Sequence, residues 1–201
     1  VRSYIKTISG FKSVKIVESE VNNGLAKSVI KGVSEIIHEY GKVIVVEDDI
    51  MTSRNFLNFM NAALTFYQDK EGVHSISGYT MPIKLPSAYN KDFYYGVRAS
   101  SWGWATWDYV WSEIDWKVSD YNEFKNNRRN IKSFNEGGSD MSSMLKRQMQ
   151  GKINSWAIIF CYHQWKTKRV TVFPTISKAL NLGFSKDASN TKFEIPEYRA
   201  V

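Results

Sequence analysis

Val43-Ile44-Val45-Val46-Glu47-Asp48-Asp49-Ile50 is the stretch that decides how this chain folds. Its apolar opening reads as a short strand buried on both faces, of the kind found in the middle of a parallel sheet. Three carboxylates cannot continue into such a core without partners. They are expected where the strand leaves the sheet, at its carboxyl end, which is where open α/β sheets bind ligands. Carboxylates crowded together repel each other, and a divalent cation relieves the repulsion. The pattern predicts a metal and, behind it, a phosphate.

The flanks on either side agree with a sheet built through helical crossovers. Upstream, Leu25, Ala26, Val29, Ile30, Val33, Ile36, Ile37 and Tyr40 recur at helical spacing, giving one wide apolar face. Asn22-Asn23 offers an N-cap and Gly41 a C-terminal glycine. Val14 to Val17 reads as an earlier short strand. Downstream, Thr52 or Ser53 is expected to cap a second helix that buries Phe56, Leu57, Met60, Ala63, Leu64 and Tyr67. Val73 to Ser77 reads as a strand ended by Gly78. Strand–helix–strand–helix–strand order predicts an α/β fold: a three-layer sandwich around a mixed, mostly parallel sheet.

Further along, Asp92 to Val97 reads as a strand, and Trp102 to Trp111 as an aromatic segment turning into a helix near Ala105. Asn122 to Glu136 is ambiguous. Helices are expected at Ser139 to Gln150 and Trp156 to Trp165, and a strand at Val170 to Phe173, stopped by Pro174. An extended tail is expected from Ser185. No internal repeat is visible, and 201 residues suit one domain.

Composition narrows the function classes. Hydrophobic residues make up 43% and charged residues 23%, a globular balance. The longest apolar run, about Ala157 to Tyr162, is too short to span a bilayer. A lone cysteine, Cys161, allows no intrachain disulfide and favours a reducing, cytoplasmic setting. The net charge of +7 favours anionic partners such as nucleotides, nucleic acid or a lipid surface. Aromatics reach 14%, a surplus suited to a core and equally to stacking on sugars or bases.

Asn23-Gly24-Leu25-Ala26 with Ser28 and Gly32, followed by Val45-Val46-Glu47-Asp48-Asp49, resembles nucleotide-sugar glycosyltransferases of the GT-A, Rossmann-like fold. Glu47-Asp48-Asp49 stands where that family carries its DXD signature. Ser101-Trp102-Gly103-Trp104-Ala105-Thr106-Trp107 is similar to the acceptor-side segment of N-acetylglucosaminyltransferase I and of bacterial family 2-like sugar transferases. Ser155-Trp156-Ala157-Ile158 and Asn181-Leu182-Gly183-Phe184 resemble later landmarks of those bacterial proteins. The likeness covers about Val1 to Phe184. It implies a donor-binding half over 1–100, an acceptor-side half over 101–184 and a tail over 185–201. It also implies a chain that lacks the family's opening strand, which helps hold the base.

The resemblance assigns roles. Asp49 is the expected ligand of Mn²⁺ or Mg²⁺, Asp48 lies near the ribose and Glu47 near the donor sugar. Asn23 and Lys27 line the donor pocket, Trp102, Gly103 and Trp104 meet the sugars, and Asp140 is the expected catalytic base, with Glu136 and Asp115 as competitors. The expected activity is metal-dependent, inverting transfer of a hexosyl or N-acetylhexosaminyl group from a nucleoside-diphosphate sugar to a glycan or lipid-linked acceptor. Such a role belongs to bacterial polysaccharide biosynthesis. It implies no nucleic-acid partner, peripheral contact with the inner face of a membrane, and a homodimer if an unpaired sheet edge is left exposed. The residues also admit two rivals: a basic, aromatic module that binds nucleic acid by charge and stacking, and an inactive fragment of the same fold.

Overall fold

The computed structural model of the protein describes residues 2–183. The expected tail from Ser185 lies outside the described residues. A one-turn helix, α1 (Arg2–Ile5), leads into an exposed segment tied to itself by ion pairs from Arg2 and Lys6 to Glu18. The strand expected at Val14 to Val17 does not form. That segment is exposed, pairs with no strand, and is anchored by an ion pair from Lys15 to Glu35. Strand-like composition alone cannot satisfy a backbone that has no neighbouring ladder.

Helix α2 (Leu25–Tyr40) buries Ala26, Val33 and Ile37. It ends at Gly41, whose left-handed φ of 74° lets its N–H reach the Ile37 carbonyl at 2.7 Å. The chain then reverses into β1 (Lys42–Val45). After the acids come β2 (Ile50–Thr52) and α3 (Phe56–Phe66), the latter burying Phe56, Met60, Ala63 and Leu64. Burying each large side chain of that stripe contributes about 1.5–3 kcal/mol. Next are β3 (Val73–Ser77), wholly buried, and β4 (Phe93–Gly96).

The Trp-rich segment departs from expectation. Trp104 to Trp107 is a strand, β5, with all four residues buried, and the helix α4 (Asp108–Ser112) starts only afterwards. A helix would set Trp104 and Trp107 on one face; a strand sends them to opposite faces. Each indole accordingly enters a different core. The ambiguous stretch folds as α5 (Tyr121–Asn126), α6 (Arg128–Phe134) and a 3-10 turn at Asn135–Gly137. Then follow α7 (Met141–Met149), α8 (Trp156–Lys166), β6 (Val170–Pro174) and β7 (Ala179–Asn181).

The main sheet has strand order β1-β5-β3-β6-β4, and β2 pairs with β7 apart from it. Among the described residues only the β3–β6 ladder is parallel; β1–β5, β3–β5 and β4–β6 are antiparallel. The sheet is therefore mixed rather than mostly parallel. β1 is an edge strand of intermediate burial, not a central one. Its apolar run is accounted for differently: Val43 and Val45 pack on one core and Ile44 on the other. Helices cover both faces. One core joins α2, α7 and α8 through Ile37, Leu145 and Phe160; the other packs α3 on Ile76, Ala105 and Val172.

Candidate functional site

Strand direction fixes what meets at each end of the sheet. β1, β3 and β6 run the same way, and β5 runs against them. The carboxyl ends of β1, β3 and β6 and the amino end of β5 thus share one edge. Glu47, Asp48 and Asp49 lie at that edge, where the sequence put them.

The acids form a tight turn, closed by the Ile50 N–H donating to the Glu47 carbonyl at 3.2 Å. Pairing of β2 with β7 then folds the end of β7 back over the turn. The Leu182 N–H donates to the Asp49 carbonyl at 2.8 Å, and the Gly183 N–H to Asn181 Oδ1 at 2.7 Å. Asp49 Oδ2 lies so close to Gly183 that a Cβ there would overlap it. Asp49 Oδ1 is buried and has no hydrogen-bond partner. An unpaired buried carboxylate oxygen is costly, on the order of a few kcal/mol.

The electrostatics agree. Burial, then the charges of Asp49 and Asp48, push the Glu47 carboxyl above its ordinary range. Burial and then Asp48 push Asp49 up, opposed by a hydrogen bond to its own backbone. Among the described residues none of the ion pairs involves these three acids. The turn is a half-dehydrated concentration of negative charge that no cation of the described residues pairs with.

A hard divalent cation fits this donor set. Among the described residues no three His, Cys, Asp or Glu converge as a metal cage. The turn offers carboxylate oxygens from adjacent residues only, which matches Mg²⁺-type sites held by one or two carboxylates and completed by substrate phosphate and water.

The other expected site residues are distributed unevenly. α2 runs antiparallel into β1, so its start lies at the same end of the sheet as the acids. Lys27 is exposed on its first turn. Asn23 does not cap the helix: its amide donates to Ser19 Oγ at 2.7 Å, while Asn22 Oδ1 accepts from the Gly24 N–H at 2.8 Å. Trp102, half-buried, precedes β5 at the acidic edge and meets the Tyr79 ring edge-on at 4.4 Å between centroids. Gly103 is buried with φ 65°, and a Cβ there would press on the Phe56 ring at 2.9 Å. Glycine at 103 therefore answers packing.

Trp104 is a correction. It is fully buried, stacked on Trp156 at 4.7 Å and Trp111 at 5.7 Å between centroids, and has no face left for a donor sugar. Trp107, Trp111 and Trp156 are buried too, so four of the seven tryptophans serve the core.

Asp140 is the second correction. It accepts both terminal nitrogens of Arg98, at 2.7 and 3.0 Å. That guanidinium holds its carboxyl below the usual range, which weakens it as a base. Position also separates it from the acids. α7 rises toward the loop before α8, where Asn154 contacts Gly24 at the start of α2, so Asp140 begins the far end of that helix. Arg98 follows β4, the opposite edge strand, four inter-strand steps or about 19 Å from β1. Asp115 accepts from the Lys117 and Ser119 N–H groups, and Glu136 lines a cleft of about 650 Å³ with Tyr162, Lys166 and Arg169; both lie away from the acidic edge. In that cleft Lys166 is paired with Asp120 and Arg169 with Glu113.

No protein-family model matches the chain, and no curated protein matches it in sequence. The residues that residue-by-residue reading missed are Asn181 and Gly183. Only the family likeness marked them as landmarks, and their link to Asp49 spans more than 130 positions, beyond any local pattern.

Proposed function

We propose that this protein binds a nucleoside-diphosphate sugar through a divalent cation at Glu47–Asp49 and transfers the sugar to a glycan or lipid-linked acceptor. The observation that carries the reading is the buried, unpartnered Asp49 Oδ1 in a turn whose carboxylates form no ion pair among the described residues. Asp49 holds the cation, with Glu47 or Asp48 beside it. When bound, Mn²⁺ or Mg²⁺ supplies charge neutralisation for the departing diphosphate. The chain's own contribution is to hold the acids in one turn and to fix Asp49 against Gly183. It also sets Trp102 at the same edge, where its ring lies beside Tyr79.

The test is release of free nucleoside diphosphate from a panel of nucleotide sugars with Mn²⁺, followed by mass spectrometry. The proposal expects Mn²⁺-dependent release with at least one donor and its loss in Asp49→Asn. Release that ignores both metal and Asp49, or none with any donor, contradicts it. Tight, salt-sensitive oligonucleotide binding without metal would favour the nucleic-acid reading instead.

A further inference from the structure

The cleft of about 650 Å³ lies at the end of the sheet opposite the acids. Val170 begins β6, and Val97 follows β4, which runs against β6, so both mark the amino end of β6. The acids sit at the carboxyl end of β1, which runs the same way as β6. The cleft is therefore separate from the candidate donor site. Its volume falls among those of small-molecule sites, about 300–1,000 Å³.

Two turns carry its polar rim, and both are strained. Val118 and Lys168 are the non-glycine residues with a left-handed backbone among the described residues, at φ 50° and 55°. Lys168 stands just past α8. There its N–H reaches the Trp165 carbonyl and the Arg169 N–H the Gln164 carbonyl, each at 3.1 Å. Glycine ordinarily serves that closure. Val118 is β-branched, a poor choice for such a backbone. Asp115 holds its turn by accepting the Lys117 and Ser119 N–H groups. The first turn delivers Asp120 to the cleft and the second delivers Lys168 and Arg169. Strain retained on both sides of one cavity points to a use for it.

The lining selects the ligand. Its ionisable rim sets Asp120, Glu123 and Glu136 against Lys166, Lys168 and Arg169, so a polyanion or polycation gains no net attraction. One Asp120 oxygen takes Lys166 at 2.7 Å; the other is buried, has no hydrogen-bond partner and calls for a donor. Trp165 is half-buried, and its indole N–H donates to Ser133 Oγ at 3.2 Å, which fixes the ring plane in the cleft. Phe134 and Tyr162 extend the apolar floor. The complement is an uncharged molecule with an apolar face for the indole and many hydroxyls, each both donor and acceptor, for the rim. A sugar ring, with C–H groups on its faces and hydroxyls at its edge, has that form.

We infer that this cleft binds a neutral oligosaccharide, with one ring on Trp165, a hydroxyl donating to Asp120 and another accepting from Lys168. The site stands without the transfer chemistry. Where both hold, it grips a glycan far from its reacting end.

The test is titration of the full chain with maltotriose, cellotriose and triacetylchitotriose, without metal or nucleotide, read by calorimetry. At least one is expected to saturate the protein. Trp165→Ala is expected to weaken that binding about tenfold or more, through loss of the stacking face. Lys168→Gly separates binding from scaffold. It relieves the backbone, so the urea midpoint holds or rises, while affinity falls about tenfold, the worth of one hydrogen bond to a charged group. Asp49→Asn is expected to bind as the wild type does, so failure of this site and failure of the transfer reading are told apart. No saturation by any of the three overturns the inference. So does binding that Trp165→Ala or Lys168→Gly leaves unchanged, or that Asp49→Asn abolishes. Saturation by triglycine and by none of the sugars overturns it too, in favour of a zwitterionic ligand.

Discussion

Replacing His74 removes a defined part of the acid sensitivity of this fold. His74 sits in β3, fully buried, with its ring 4.2 Å from Phe160 and 5.5 Å from His163 between centroids. Neither ring nitrogen has a hydrogen-bond partner. Burial, then the positive character of His163 and Arg169, holds its proton affinity well below the ordinary value of 6.5. The unfolded chain binds a proton below pH 6.5 that the folded chain refuses. Stability is therefore full above that pH and falls as the pH drops toward the folded value. Each pH unit in that window removes up to about 1.4 kcal/mol, so at about pH 5 the loss reaches up to about 2 kcal/mol. His74→Leu keeps the site apolar and similar in volume, and it relieves two orphan nitrogens. Urea midpoints between about pH 7.5 and pH 5 are expected to show equal or higher stability at the upper end and a slope shallower by about one proton. His163, also pushed down by burial, adds a smaller slope in the same direction and stays present in the variant. An acid slope identical in wild type and His74→Leu would mean that the buried His74 does not set the acid sensitivity.

Two further outcomes follow from the packing. Trp104→Ala is expected to cost about 3–5 kcal/mol in chemical unfolding, because its indole stacks on Trp111 and Trp156 inside the core; loss of nucleotide-sugar binding without loss of stability would restore it as a sugar contact. Gly183→Ala is expected to weaken Mn²⁺ binding about 10–100-fold by displacing the Asp49 carboxylate, a change that calorimetry reads. Equal affinity in that variant would show that Asp49 does not hold the metal.

The legible parts of the sequence were those written in local periodicity. The stripe of α2 and its Gly41 stop, the buried run of β3, and α8 all lie close to their expected bounds. The acids at the end of β1 also fell where a strand must release them. What failed depends on partners far along the chain. Val14 to Val17 has strand composition, but no ladder partner lies beside it among the described residues. Trp104 to Trp107 fits a helix by spacing, yet a slot between β1 and β3 makes it a strand. β2 and β7 are each three residues long and exist only because they pair with each other. Asp140 looked like a free acid in sequence; Arg98, 42 positions earlier, occupies it.

The central claim is that the Glu47–Asp49 turn holds a divalent cation together with a diphosphate, and the coupling between the two tests it most directly. Titrating Mn²⁺ with and without nucleoside diphosphate gives a coupling factor, which linkage requires the reverse titration to reproduce. A factor well above one is expected in the wild type, falling to one in Asp49→Asn. Additive, independent binding of metal and nucleotide in the wild type, or coupling that survives in Asp49→Asn, would contradict it.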